Sequence, residues 1–250
     1  MKIVKSIAEW KKIKSELKGS LGFVPTMGAL HSGHLTLMKR AKSENNYVAV
    51  SIFVNPTQFK DPKDLQKYPR PMEEDQKKLE SLGVDFLFSP EFSELYPDNY
   101  RYMVTEKEFS LDLCGASRPG HFDGVLSVVM KLFNVMDADK AYFGEKDYQQ
   151  LELIKGMVEA FFMKVQIVPC PTVRESDGLA MSSRNLLLTP VGRKLAPVFH
   201  KELSSSASVE EVKINLEKAG FRIDYIEEKR GRRFGAVILD NVRLIDNVAR

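Results

Sequence analysis

The sequence predicts an α/β chain, a doubly wound parallel sheet followed by a small α+β unit, and three observations carry that prediction. Short β-branched or aromatic runs alternate with helical periodicity from about residue 20 to residue 168, the order that builds parallel βαβ units. One run, Tyr47-Val48-Ala49-Val50-Ser51-Ile52-Phe53-Val54, is almost continuously apolar, as an interior strand covered on both faces must be. From Thr189-Pro190 onward the order changes to helices followed by three strands.

Size and composition bound the rest. The 250 residues suffice for a large domain with a sizeable core and a second, small one. Hydrophobic residues at 43% and charged residues at 28% are ordinary for a globular protein, and no apolar run approaches a membrane span. The first residues lack the apolar region and cleavage site of a secretory signal, so a cytoplasmic location is expected. Two cysteines, Cys114 and Cys170, are too few for a disulfide framework and lack the spacing of a zinc site. Net charge is only +3, and no concentrated basic stripe suggests a nucleic-acid partner.

Taken in order, residues 2–18 place Ile3, Ile7, Trp10, Ile13 and Leu17 at helical spacing, with Ser6 and Glu9 resembling a capping box and Trp10 as a packing anchor. The strand at 22–24 is stopped by Pro25 and passes through a glycine-punctuated turn into a helix carrying Leu35, Met38 and Ala41. Gly28 and Gly33 keep side chains away there, so an anion can approach unpaired N–H groups at the helix start. His31 and His34, three apart, are expected on one face of the first helical turn, where two imidazoles can follow negative charge between phosphate oxygens. The plainer alternatives are a pair of surface histidines or half a metal site.

The strand over 47–54 ends in Asn55-Pro56-Thr57-Gln58-Phe59, polar residues where open α/β sheets bind ligands, although Gln58 also suits a solvated turn. Residues 60–71 read as a mobile connection and a candidate lid, followed by a helix over 73–82 and a strand over 85–88. Residues 91–124 are irregular, with Arg118 and His121 as candidates for anion contact or simply part of a Gly-Pro connector. Val125 to Met136, including Val128 and Val129, reads as a core helix. After a strand at 140–143, Gly144-Glu145-Lys146-Asp147-Tyr148-Gln149-Gln150 opens a helix over 147–161. It offers a lysine for phosphate and two amides for a polar substrate, or merely a surface Lys-Asp pair. Beyond a strand at 165–168, residues 171–185 look flexible. Ser182 and Ser183 beside Arg184 can clamp phosphate oxygens or serve the turn alone. The C-terminal unit begins near 176–188, with helices to 219, a Ser-rich break at 204–208, and strands near 221–227, 234–239 and 242–246.

Assembled, these residues resemble the pantoate–β-alanine ligase family, the pantothenate synthetases, within the HIGH-signature nucleotidyltransferases. The carriers are Pro25 through His34, Phe53 through Phe59, Arg118 through Phe122, Gly144 through Gln150 and Pro171 through Asn185, five motifs in order. The resemblance implies a Rossmann-like ATP- and pantoate-binding domain over 1–176 and a small lid domain over 177–250. It places ATP along Met27, Gly28, Ala29, Leu30, His31, Ser32, Gly33 and His34, then Gly144, Glu145, Lys146 and Asp147. Val173, Met181, Ser182, Ser183 and Arg184 complete that set. His34 is the implied catalytic histidine, with His31, Lys146, Ser182, Ser183 and Arg184 stabilising charge on the transferring phosphate. Gln58 and Gln150 match glutamines that hold pantoate, Gln58 also lying near β-alanine, and Val128 and Val129 match an apolar wall against the gem-dimethyl group.

The implied reaction condenses pantoate with β-alanine through pantoyl adenylate, releasing pyrophosphate and AMP, with Mg2+ accompanying ATP, in a homodimer. No metal ligands are assigned. The segment from Asp224 to Asn247 looks shorter than the family pattern. A related nucleotidyltransferase acting on a phosphate acceptor is the nearest alternative, but such an acceptor calls for clustered Arg or Lys where two neutral amides stand.

Overall fold

In the computed structural model, which describes residues 1–59 and 62–250, the chain divides into two units. The first comprises Met1–Leu30, His34–Gly144 and Gln149–Cys170; the second comprises His31–Gly33, Glu145–Tyr148 and Pro171–Arg250.

The first unit is built on a parallel sheet of β1 (Lys2–Val4), β2 (Leu21–Thr26), β3 (Tyr47–Ile52), β4 (Phe86–Phe88), β5 (Lys140–Gly144) and β6 (Gln166–Cys170), in the order β1-β4-β3-β2-β5-β6. The chain steps outward from β2 to β3 to β4, then returns to lay β5 on the other side of β2. The topological switch point therefore lies between β2 and β5, whose carboxyl ends face the place where such sheets bind ligands. The apolar runs behave as interior strands should, with Leu21, Phe23, Val24, Val48, Ala49 and Val50 wholly buried.

The helices of the sequence up to β6 are α1 (Ile7–Glu16), α2 (Ser32–Glu44), α3 (Pro62–Lys67), α4 (Met72–Ser81), α5 (Phe92–Leu95), α6 (Cys114–Ser117), α7 (His121–Met136) and α8 (Tyr148–Ala160). Ser6 caps α1 by accepting the Glu9 N–H, and Trp10 is fully buried, its Nε1 donating to the Met136 carbonyl at 3.3 Å. The helix expected over 2–18 is shorter than its periodicity suggested. Lys2–Val4 pairs with Phe86–Phe88 as an edge strand, and Ile3, assigned to the helical stripe, is 40% exposed while Val4 is buried. Pairing with β4 satisfies the backbone there, an outcome local spacing cannot register. Of the connection expected over 60–71, residues 60 and 61 lie outside the described residues, and 62–67 form α3 instead of a loop. The stretch over 91–124 also contains two short helices, and α7 starts four residues before Val125, at His121.

Near its start, α7 presses backbone against backbone. A Cβ on Gly124 would lie 2.5 Å from the Thr57 carbonyl oxygen and 2.7 Å from the Gln58 nitrogen, closer than any side chain can stand. Gly124→Ala is expected to cost about 1–3 kcal/mol through overpacking, read as a lower urea midpoint at unchanged slope.

In the second unit, α9 (Pro190–Leu195), α10 (Pro197–Leu203) and α11 (Val209–Lys218) precede an antiparallel meander, β7 (Arg222–Lys229), β8 (Arg232–Leu239) and β9 (Val242–Ala249). Both hairpins turn on two residues with positive φ, Arg230-Gly231 and Asp240-Asn241, as tight hairpin connections require. The β7–β8 register shifts between Ile223 and Tyr225, a bulge at Asp224. Phe199, Leu203, Val212, Leu216, Phe221 and Val237 form the core. Arg233 is buried with them, donating to the Leu203, Ser205 and Ala207 carbonyls and pairing with Glu228, so it holds the Ser-rich break in place. Among the described residues, no helix is long and apolar enough to cross a membrane.

Candidate active site

The glycine turn after β2 is held from both ends. Thr26 Oγ1 donates to the Ser51 carbonyl at 2.8 Å and accepts the Gly28 N–H at 3.1 Å. Gly28 and Ala29 both take positive φ, +80° and +51°, the second unusual for a residue with a Cβ. That curl sends the Ala29 and Leu30 N–H groups to the two oxygens of Asp75, at 2.7 and 2.8 Å. Asp75 comes from α4 and is 1% exposed, and Lys78, one turn on, donates to the Leu30 carbonyl at 2.8 Å. A carboxylate of the chain thus takes two amides of the turn that precedes the helix. Asp75 belongs to no motif that the sequence offered, standing beside Glu73 and Glu74 in the first turn of its helix. The available signal was its place four residues before Leu79 on the buried stripe of α4.

The two histidines also differ from the expected pair. α2 starts at Ser32, so His31 precedes it, while His34 is its third residue. The His31 Nδ1 accepts the Gly33 N–H at 3.2 Å, which requires the ring proton to sit on Nε2 and makes that nitrogen a donor. One imidazole thus caps the helix whose first turn carries the other.

Gln58 ends a 3₁₀ turn, Pro56–Gln58, capped by Asn55. Asn55 is 1% exposed; its Nδ2 donates to the Gly124 carbonyl at 3.1 Å and to Gln58 Oε1 at 3.2 Å. Gln58 Nε2 donates to Met27 Sδ at 3.2 Å, so the structure brings these two sequence-selected residues together. The Gln58 backbone carbonyl accepts from His121 Nδ1 at 3.0 Å and from Arg118 Nη2 at 3.4 Å. Because Arg118 Nη1 donates to His121 Nε2, the imidazole proton lies on Nδ1. Both anion candidates are thereby turned onto the Gln58 backbone. Tyr96 donates to Asn55 Oδ1, and burial pushes its phenol up to about 12, which keeps it a donor near neutral pH.

Val128 and Val129 are buried on α7. Of the two amides that open α8, Gln149 is not a substrate reader. It is buried, its Nε2 donates to the Phe109 and Asp112 carbonyls, and its Oε1 accepts the Cys114 N–H, so it ties down the loop before α6. Gln150, the neighbour selected from the sequence, is half-buried.

In the second unit the segment over 171–185 carries hydrogen bonds of its own. The Met181 N–H reaches the Val173 carbonyl at 2.9 Å, and Ser182 accepts the Arg184 N–H as cap of the 3₁₀ turn Ser183–Leu187. Arg193 pairs with Glu175 and Asp177, and that guanidinium lowers the Asp177 carboxyl below its ordinary value. Lys146, Ser182 and Arg184, chosen from motifs far apart in sequence, line one open cleft. Arg243 and Asp246 of β9 line it too and were not foreseen. Burial pushes the Asp246 carboxyl up, but hydrogen bonds from His200 and Arg174 and the Arg174 charge outweigh this and leave it below the usual value. Three cations and a hydroxyl around one cleft suit a polyanion such as a nucleotide phosphate chain.

Comparison with known proteins shows the family. The family model described as pantoate-beta-alanine ligase matches residues 2–249. A pantothenate synthetase of Bdellovibrio bacteriovorus is 56% identical over 246 residues, 98% of each chain, and one of Legionella pneumophila is 49% identical over 249 residues, 99% of each. The crystal structure of pantoate-beta-alanine ligase from Francisella tularensis, complexed with beta-gamma ATP and beta-alanine, superposes with a TM-score of 0.95 at 44% identity, covering 100% of this chain and 97% of that one. Pantothenate synthetase from Thermus thermophilus gives 0.90 at 41% identity, covering 100% and 99%. These relatives align with the chain almost end to end, so its C-terminal segment is about as long as theirs. Matched along nearly all its length by the family model and by these enzymes, the chain belongs to the pantoate-beta-alanine ligase family.

Proposed function

We infer that this chain condenses pantoate with β-alanine at the expense of ATP, giving pantothenate, AMP and pyrophosphate. The observation that carries the phosphate chemistry is the cleft where Lys146, Ser182 and Arg184 meet. In the first step a pantoate carboxylate oxygen attacks the α-phosphorus and the bond to pyrophosphate breaks. In the second, the β-alanine amine attacks the acyl carbon of pantoyl adenylate, AMP leaves with the acyl oxygen, and the amine gives up its proton.

The chain's contribution is positioning and charge. Lys146, Ser182, Ser183 and Arg184 hold phosphate oxygens, and His31 Nε2–H and His34 donate to charge developing on the transferring group. Met27 through Gly33, Gly144, Glu145, Asp147, Val173 and Met181 shape the rest of the ATP contacts. Gln58, its amide set by Asn55 and Met27, and Gln150 orient pantoate without neutralising its nucleophilic carboxylate, and Val128 and Val129 face its methyl groups. Among the described residues, no group of three His, Cys, Asp or Glu side chains forms a metal cage. This fits magnesium that arrives with the substrate as MgATP, held by phosphate and water. The lid role of 177–250 and a homodimer rest on the family resemblance, and a cytoplasmic location belongs to the same reading.

The test is product release from MgATP with pantoate and β-alanine supplied separately and together. Pantoate alone is expected to yield about one pyrophosphate per chain, and AMP with pantothenate only when both acids are present. Pyrophosphate release that waits for β-alanine would overturn the adenylate route.

A further inference from the structure

Two adjacent residues in the middle of β9, Asp246 and Asn247, are polar and each 3% exposed, in a strand whose buried positions are otherwise apolar. Burying an amide is costly unless its hydrogen-bonding capacity is used, and Asn247 uses its own. Its Oδ1 accepts from Arg232 Nε at 2.8 Å, and its Nδ2 donates to the carbonyls of Glu145 and Lys146, both at 2.9 Å. The Asn247 N–H donates to Asp246 Oδ1 at 2.8 Å, and Asp246 is clamped in turn by both Arg174 nitrogens and by His200.

The two carbonyls belong to consecutive residues of the 3₁₀ turn Glu145–Asp147. The two carbonyls belong to the peptide planes on either side of the Lys146 Cα, so bonds to both fix both planes and hence the direction in which the Lys146 side chain leaves the backbone. The Arg232 guanidinium that meets Asn247 also lies over the Tyr148 ring at 4.1 Å, gripping the residue just beyond the turn. Lysine has a long, flexible stem, so the ammonium reaches a defined place only if its Cα is held. We propose that Asn247 is the positioning residue for Lys146, fixing that ammonium against the nucleotide phosphates through the paired Glu145 and Lys146 carbonyls. This rests on the phosphate role given to Lys146 above.

Asn247→Asp tests it with little change in shape. The acceptor for Arg232 is kept, while the donor facing two carbonyls becomes an oxygen. The expected result is a drop in kcat/KM for ATP on the order of 10- to 100-fold, with KM for β-alanine unchanged. The decisive measurement is a double-mutant cycle with Lys146→Ala. If Asn247 acts through Lys146, Asn247→Asp in the Lys146→Ala background changes kcat/KM for ATP by no more than about 2-fold. Equal losses in both backgrounds, or wild-type constants for Asn247→Asp, would overturn the proposal. A Lys146→Ala variant with wild-type constants would instead overturn the phosphate role of Lys146. Should Asn247→Asp lack a cooperative thermal transition, Asn247→Ser, which keeps a single donor, takes its place in the cycle.

Discussion

His34→Ala is expected to lower pantoate-dependent pyrophosphate release on the order of 100-fold or more while leaving the thermal transition in place. The size follows from removing one donor aimed at developing charge, about 3 kcal/mol in the transition state. The intact fold follows from position: His34 is only half-buried at the third residue of α2, while Leu37, Met38 and Ala41 carry that helix's packing. The check is a pair of measurements on one preparation, single-turnover pyrophosphate release and a melting curve. Unchanged turnover would remove His34 from the chemistry, and a lost transition would make its role structural.

The second large effect is expected at Asp75. Replacing it with alanine leaves the Ala29 and Leu30 N–H groups without their carboxylate and releases the left-handed Ala29. Each charge-assisted bond contributes about 1.5–3 kcal/mol, so stability should fall by about 3 kcal/mol or more. Asp75→Asn is expected to cost less, since its amide oxygen still serves one N–H while its NH2 opposes the other. Urea unfolding reads the stability change, and the KM for ATP reads the turn. A rise in that KM with the KM for β-alanine unchanged places the effect at the nucleotide. Equal stability of Asp75→Asn and the parent would show that the carboxylate does not hold the turn.

The contrast between these two residues shows what can be read along a chain. His34 stands inside a local pattern of strand, glycine turn and helix, and Gln58, Lys146 and Ser182 likewise follow the ends of recognisable elements, so each could be proposed from the sequence. The run from Tyr47 to Val54 announced β3 for the same reason, because burial on both faces leaves its mark on every residue. Asp75 acts about 45 positions from its partners, and Asn247 about 100 from its own. Their side chains answer backbone groups that only the folded unit brings near. Arg233, wholly buried, resembles any surface arginine until its three carbonyl partners are seen. Lys2–Val4 failed for a related reason, since a three-residue edge strand exists only because β4 is there to pair with it.

The bulge at Asp224 has a bearing on how the protein behaves in concentrated solution. β7 stands at the margin of its sheet, where a flat strand would offer a row of amides and carbonyls to any passing chain. The bulge bends that row, and Arg222, Asp224 and Glu228 set exposed charges of both signs along it. A second molecule approaching β7 in extended conformation meets a twisted, charged border and not a template, so this edge resists pairing from molecule to molecule.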